Sequence, residues 1–164
     1  MRVSVPTINV NPLAKALPFI PKELAISRIS DFLSSGNSST AILTGAGVSV
    51  DSGIRAYRGR NGRYLNPNYR PIFYQELVDP TSKGHSFRQR YWARSYLGWP
   101  SVRVAQPNPT HFAIAALQHA NVVPHLITQN VDGLHYKAAP SSWSMDEKKD
   151  KILELHGRLR VSEL

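Results

Sequence analysis

Apolar positions first gather at Leu24, Ile26, Ile29, Phe32 and Leu33, spaced as one face of a helix and placed just after Pro21, which suits a helix start. Ser34 to Thr40 is polar and reads as a turn. Ala41-Ile42-Leu43-Thr44 is a short apolar run that stops at Gly45, as a buried parallel strand does. From Arg55 to Pro80 periodicity is lost among Arg, Gly, Asn, Pro and Tyr, and the stretch reads mainly as a long loop. Between His85 and Trp99, Phe87, Tyr91, Tyr96 and Leu97 fit a helix with aromatics on one side and arginines on the other; the aromatics are expected in the core.

Asn108-Pro109 then supplies a cap and a first-turn proline to an alanine-rich helix that Asn121 closes. Val122 to Thr128 resumes as a strand, with Pro124 near its start where a missing donor is tolerated. After a polar stretch from Ser141 to Lys151, Ile152 to Leu155 forms another short strand. Helices alternating with short apolar strands predict an α/β domain with a parallel sheet. Ligands bind such sheets beyond the carboxyl ends of the strands, where Gly45 and Thr128 lie.

Composition narrows this picture. The 164 residues, 41% hydrophobic, suffice for one domain with a core. The net charge of +9 draws the chain toward polyanions, yet the arginines are dispersed among aromatics and glycines. No compact basic face or recognition helix is evident, so a nucleic-acid-binding module is disfavoured. No cysteine is present, which excludes disulfides, thiolate nucleophiles and cysteine-bound zinc in this chain. No apolar run reaches the roughly 20 residues of a membrane span. Residues 1–22 carry Arg2, Lys15 and Lys22 without an acid, as a mitochondrial presequence would, but Pro6, Pro12, Pro18 and Pro21 oppose its amphipathic helix. An extended arm over the domain is the preferred reading.

Candidate chemistry starts at Gly45-Ala46-Gly47, because a strand followed by Gly-x-Gly brings unobstructed amides against a phosphate. Alone the motif is weak: Val50 stands where a dehydrogenase fingerprint has its third glycine. Asn130 and Asp132, after a strand, form an Asx turn or orient a ligand. His156, after another, is a structural hydrogen-bonding residue or a base that titrates near neutral pH. His111, His119, His125 and His135 read as structural or surface residues.

Together the motifs say more. The run from Gly45 to Arg58 (GAGVSVDSGIRAYR), then Thr128-Gln129-Asn130-Val131-Asp132-Gly133-Leu134-His135, then Glu154-Leu155-His156-Gly157 resemble the three signatures of the sirtuins, in order. The stretch Gln89 to Pro100, with Gln106-Pro107-Asn108-Pro109 after it, is similar to the mitochondrial class II members. The resemblance runs from about residue 20 to 160. It implies a partial catalytic domain over residues 23–164, with an incomplete Rossmann-like parallel sheet flanked by helices. It further implies NAD-dependent protein-lysine deacylation or ADP-ribosyl transfer, acyl-lysine proteins as substrates and a mitochondrial location. Gly45, Ala46, Gly47 and Ser49 would line the NAD diphosphate and Arg58 would reach the cofactor. Tyr57 would shield the reacting sugar carbon, Gln129 and Asn130 would contact the nicotinamide ribose, and Asp132 would hold the carboxamide. His156 would be the general base, with Asn130 beside it in catalysis.

The chain departs from the family in two places. Arg55-Ala56 stands where Pro-Asp is usual, changing the stiffness and charge of the cofactor loop. The zinc module, with its four cysteines, and the later strands are missing after His156. Little or no turnover is therefore expected of this chain alone, and a noncatalytic NAD or ADP-ribose-binding fragment is the alternative.

Overall fold

The computed structural model describes residues 20–35, 40–59 and 61–159. Most of the expected N-terminal arm, the turn at 36–39 and the last five residues lie outside them. A sheet of three parallel strands, β1 (Ala41–Thr44), β2 (His125–Thr128) and β3 (Ile152–Glu154), stands in the order β1-β2-β3. The helices are α1 (Lys22–Ser35), α2 (Tyr74–Val78), α3 (Ser82–Val104), α4 (Pro109–His119), α5 (Leu134–Ala138) and α6 (Met145–Lys151). The expected α/β architecture with a parallel sheet is thus present. Among the described residues no helix is long and apolar enough to cross a membrane.

Register decides where the core sits. Ile42 pairs with Leu126 and Leu126 with Ile152, so these three side chains share one face. On it pack Ile114 of α4, Tyr136 of α5, Ala139 and Trp143. Leu126 is 1% exposed, and burying it contributes about 1.5–3 kcal/mol. The opposite face carries Leu43, Ile127 and Leu153, and there Leu43 is 63% and Leu153 54% exposed.

Several boundaries differ from the sequence reading, each for a physical reason. Strand β2 begins at His125, not Val122, because Val122 and Val123 both donate their amides to Leu117 C=O and close α4. Asn121 does end that helix, at a left-handed φ of 55°. The polar stretch before β3 contains α6, whose start is fixed by Ser144 Oγ accepting from Glu147 N–H while Glu147 accepts from Ser144 N–H. The long loop contains a 3₁₀ turn at Arg63–Leu65 and helix α2, where Glu76 accepts from Phe73 N–H. Helix α3 is longer than expected and carries Pro100 in its last turns. That proline withholds a donor from Tyr96 C=O, tolerable because Tyr96 is largely in solvent. The α3 aromatics are not core: Trp92 is 68% and Tyr96 80% exposed. No residue of α1 is buried.

Candidate functional site

The three strand ends converge on a cleft of about 600 Å³. Its rear begins at Thr44, the last residue of β1, from which the chain passes through an extended Gly45 into a 3₁₀ turn over Ala46–Ser52. Neither Gly45 nor Gly47 has a positive φ, so the sharp bend does not depend on glycine's left-handed freedom. A Cβ at Gly47 would meet no protein atom within 4 Å. Glycine there leaves the backbone open to something outside the chain.

Side chains from the end of β2 and beyond hold this turn. Asn130 Nδ2 donates to Gly45 C=O at 3.0 Å and to Ser49 Oγ at 3.2 Å. Ser49 Oγ donates to Asp132 Oδ2 at 2.8 Å, and Asp132 Oδ1 accepts from Leu134 N–H at 3.0 Å. Asp132 thus makes the Asx turn and also ties the glycine turn down. With both amide protons of Asn130 committed, its other polar side-chain atom is the acceptor Oδ1.

His156 sits at the third strand end. Its Nδ1 lies 2.9 Å from Gln129 C=O. A carbonyl can only accept, so Nδ1 carries a proton, and in the neutral ring Nε2 presents the lone pair. Gln129 N–H in turn donates to Thr44 C=O at 3.0 Å. One residue therefore links the glycine turn to the histidine.

Behind the turn lie two buried imidazoles, His111 of α4 and His135 of α5, with ring centroids 4.7 Å apart. Thr44 Oγ1 donates to Thr128 Oγ1 at 2.8 Å, so the contact of His135 Nε2 to Thr44 Oγ1 at 3.0 Å has the ring as donor. Burial first, and then the neighbouring His111, push the pKa of His135 down to about 4, against the pull of Asp132. Burial lowers His111 as well, again opposed by Asp132. His111 Nδ1 accepts from Asn108 N–H, and its Nε2 has no partner among the described residues.

The front wall is aromatic and cationic. The Tyr57 and Tyr64 rings are 5.7 Å apart, and Arg58 lies 5.5 Å over Tyr64. Arg94 lies 4.9 Å over Tyr69 and donates to its hydroxyl at 2.9 Å. The loop closes because Gly62 has no side chain: a Cβ there would fall 2.7 Å from Arg58 Cα. Arg55 does not line the cleft; with Arg63, Asn66 and Tyr69 it borders a neighbouring hollow of about 270 Å³.

Of the residues singled out in the sequence, Gly45, Ala46, Gly47, Tyr57, Arg58, Gln129, Asn130 and His156 line the cleft. Ser49 and Asp132 do not; Ser49 is fully buried, and both act on the turn from behind. Tyr64, Tyr69, Tyr91 and Arg94 line it unannounced. Tyr91 belongs to the α3 aromatics that suggested a core and Arg94 to the arginines set opposite them, and the loop tyrosines carried no periodic signal. Among the described residues no group of three or more His, Cys, Asp or Glu side chains could hold a metal ion.

Comparison with known proteins agrees with this geometry. A protein of Batrachochytrium dendrobatidis named NAD-dependent protein deacylase SIR4 is 51% identical over 134 residues, which is 81% of this chain and 41% of that protein. Drosophila melanogaster NAD-dependent protein deacylase Sirt4 is 40% identical over 133 residues, 80% of this chain and 38% of that one. The chain thus spans about two fifths of the length of these curated relatives. Among solved structures, a complex described as Sir2, a p53 peptide and NAD+ matches 82% of this chain and 46% of its own with a TM-score of 0.61 at 28% identity. The sequence profile described as Sir2 family matches residues 45–163, the stretch that builds the cleft from its glycine turn to its histidine, and the chain belongs to that family.

Proposed function

We propose that residues 23–164 form the NAD-binding first part of a sirtuin catalytic domain that removes acyl groups from protein lysines or transfers ADP-ribose. The observation that carries this reading is the convergence of Gly45–Gly47, Asn130 and His156 at three adjacent parallel strand ends around one cleft. The cleft fits the dinucleotide in three ways. Its volume lies in the range of ligand sites, the open space at Gly47 admits a phosphate against the backbone, and Arg58 supplies positive charge.

NAD, when bound, supplies a ribose carbon that becomes electrophilic as its bond to nicotinamide breaks, and the carbonyl oxygen of an acyl-lysine can trap it. The chain's own residues bind, orient and move a proton. The backbone of the glycine turn would meet the diphosphate, and Tyr57 on the front wall would cover the reacting carbon. Asn130 Oδ1 would accept from a ribose hydroxyl, and Gln129 would border the same ribose. Asp132 would act on the carboxamide side through Ser49, whose hydroxyl donates to it and which Asn130 also holds. His156 Nε2 would take the proton of a ribose hydroxyl there.

A second reading, an NAD or ADP-ribose binder without turnover, is favoured by one observation: among the described residues, Leu43 and Leu153 on one sheet face are more than half exposed. Turnover by this chain alone is expected to be slow for the same reason. The test is nicotinamide release with and without an acyl-lysine peptide, beside His156→Ala and beside direct measurement of ADP-ribose binding. Release that falls roughly 10²-fold to 10⁴-fold in His156→Ala supports the enzymatic reading. Saturable binding without release from either protein establishes the binder, and no binding removes both. A mitochondrial location is proposed on the class II resemblance of residues 89–109 and on the similarity to Sirt4, and fractionation of expressing cells checks it.

A further inference from the structure

Asn108 carries the ordinary signature of a helix cap, and its side-chain oxygen behaves as one. Oδ1 accepts from Thr110 N–H at 3.0 Å and from His111 N–H at 3.4 Å at the start of α4. That work needs only an acceptor, which Ser, Thr or Asp would also provide. The other half of the carboxamide reaches across the fold. Nδ2 donates to Val48 C=O at 2.7 Å and to Ser52 Oγ at 3.1 Å, both in the glycine turn.

These two bonds complete the anchoring of the turn. Thr44, where it begins, is held by His135; Gly45 and Ser49 are held by Asn130 and Asp132; Val48 and Ser52 are held by Asn108. The first two holds come from the chain following β2, whereas Asn108 comes from the start of α4, on the connection between β1 and β2. Asn108 is 6% exposed, and its own N–H is taken by the fully buried His111. Its backbone and both side-chain polar atoms are thus committed, and its position is set by α4, outside the cleft.

We propose that Asn108 is a positioning residue for the nucleotide-binding turn: its amide group, not its capping oxygen, fixes the turn through Val48 and Ser52. The proposal rests on the reading of the cleft as an ADP-ribose site for its effect on affinity, but not for its effect on the turn. Backbone groups that meet a phosphate act at full strength only if they are already in place, and a turn released at one end must be reordered on binding.

Asn108→Ser separates the two roles, because serine keeps a capping oxygen and loses the amide donors. Asn108→Ala loses both. Two measurements on the full chain decide between them. The first is amide exchange at Gly53 and Ile54, whose N–H groups bond back to Val50 and Ser49 C=O within the turn. Exchange there is expected to rise roughly fivefold to thirtyfold in both variants, while the first amides of α4 stay protected in Asn108→Ser and are released in Asn108→Ala.

The second is ADP-ribose affinity, expected to fall by a similar roughly fivefold to thirtyfold factor in both variants, although Asn108→Ala melts about 2–4 °C below Asn108→Ser. Ser52→Ala should weaken binding in the parent and add nothing in the Asn108→Ser background. Affinity that tracks melting temperature instead, or exchange at Gly53 and Ile54 unchanged in Asn108→Ser, overturns the proposal. If the parent binds no ADP-ribose, the reading of the cleft falls, and the exchange result alone upholds or rejects the positioning role.

Discussion

The two faces of one small sheet differ in almost every respect. On the face bearing Ile42, Leu126 and Ile152, helices α4 and α5 close a core, and at its carboxyl end Thr44 and Thr128 enter a chain of buried hydrogen bonds that supports the cleft. The face bearing Leu43, Ile127 and Leu153 uses the same kind of side chains, yet Leu43 and Leu153 are more than half exposed. Both faces have the sequence pattern of a buried strand. Hydrophobic residues state that a surface is to be covered; only long-range packing decides what is covered here. In this chain the finished face is the one that carries the site.

Four changes would break or sharpen that contrast, taken from the largest effect to the smallest. Leu126→Ala should lower stability by about 2–5 kcal/mol in urea unfolding, since it opens a cavity in the only core this sheet has among the described residues. Acid should act on the same face. His135 has a folded-state pKa of about 4 against an ordinary 6.5, so the unfolded chain takes up a proton there first. Stability is then full above pH 6.5 and falls as pH drops toward 4, by up to about 3 kcal/mol. His135→Gln, retaining a donor for Thr44 but no titration in this range, should flatten that decline. Leu153→Ala on the bare face should cost less than about 1 kcal/mol, because little apolar area is lost from a site already in water. Tyr96→Ser on α3 should change stability by less than about 0.5 kcal/mol. A Leu153→Ala penalty as large as that of Leu126→Ala would mean that the bare face is covered in solution.

The same contrast explains what could be read in the sequence. Strand β1 and helix α4 were legible because each has a clear stop or cap: Gly45 after the apolar run, and Asn108-Pro109 before the alanines. The meeting of Gly45–Gly47, Asn130 and His156 followed from the rule that parallel strands gather their carboxyl ends. Helix α6 escaped because Met-Asp-Glu-Lys-Lys-Asp-Lys has no apolar period; a capping box and charges matched to the helix dipole make it. Helix α5 is a single turn and too short to show a period. The α3 aromatics misled because burial depends on a neighbour, and periodicity reports only an amphipathic face. The indirect roles of Ser49 and Asp132 were hidden for a related reason: a hydroxyl and a carboxylate 83 residues apart find each other only in the fold.

Gln129 gives the site a property of a different kind. Its N–H is bonded to the residue before the glycine turn and its C=O to the histidine, so the spacing between the two halves of the cleft is measured out by the covalent length of a single residue. Such a ruler is indifferent to side-chain identity. The front wall of the cleft can change its side chains while that spacing stays as it is, which makes this the part of the molecule where a different ligand can be accommodated without moving the glycine turn away from the histidine.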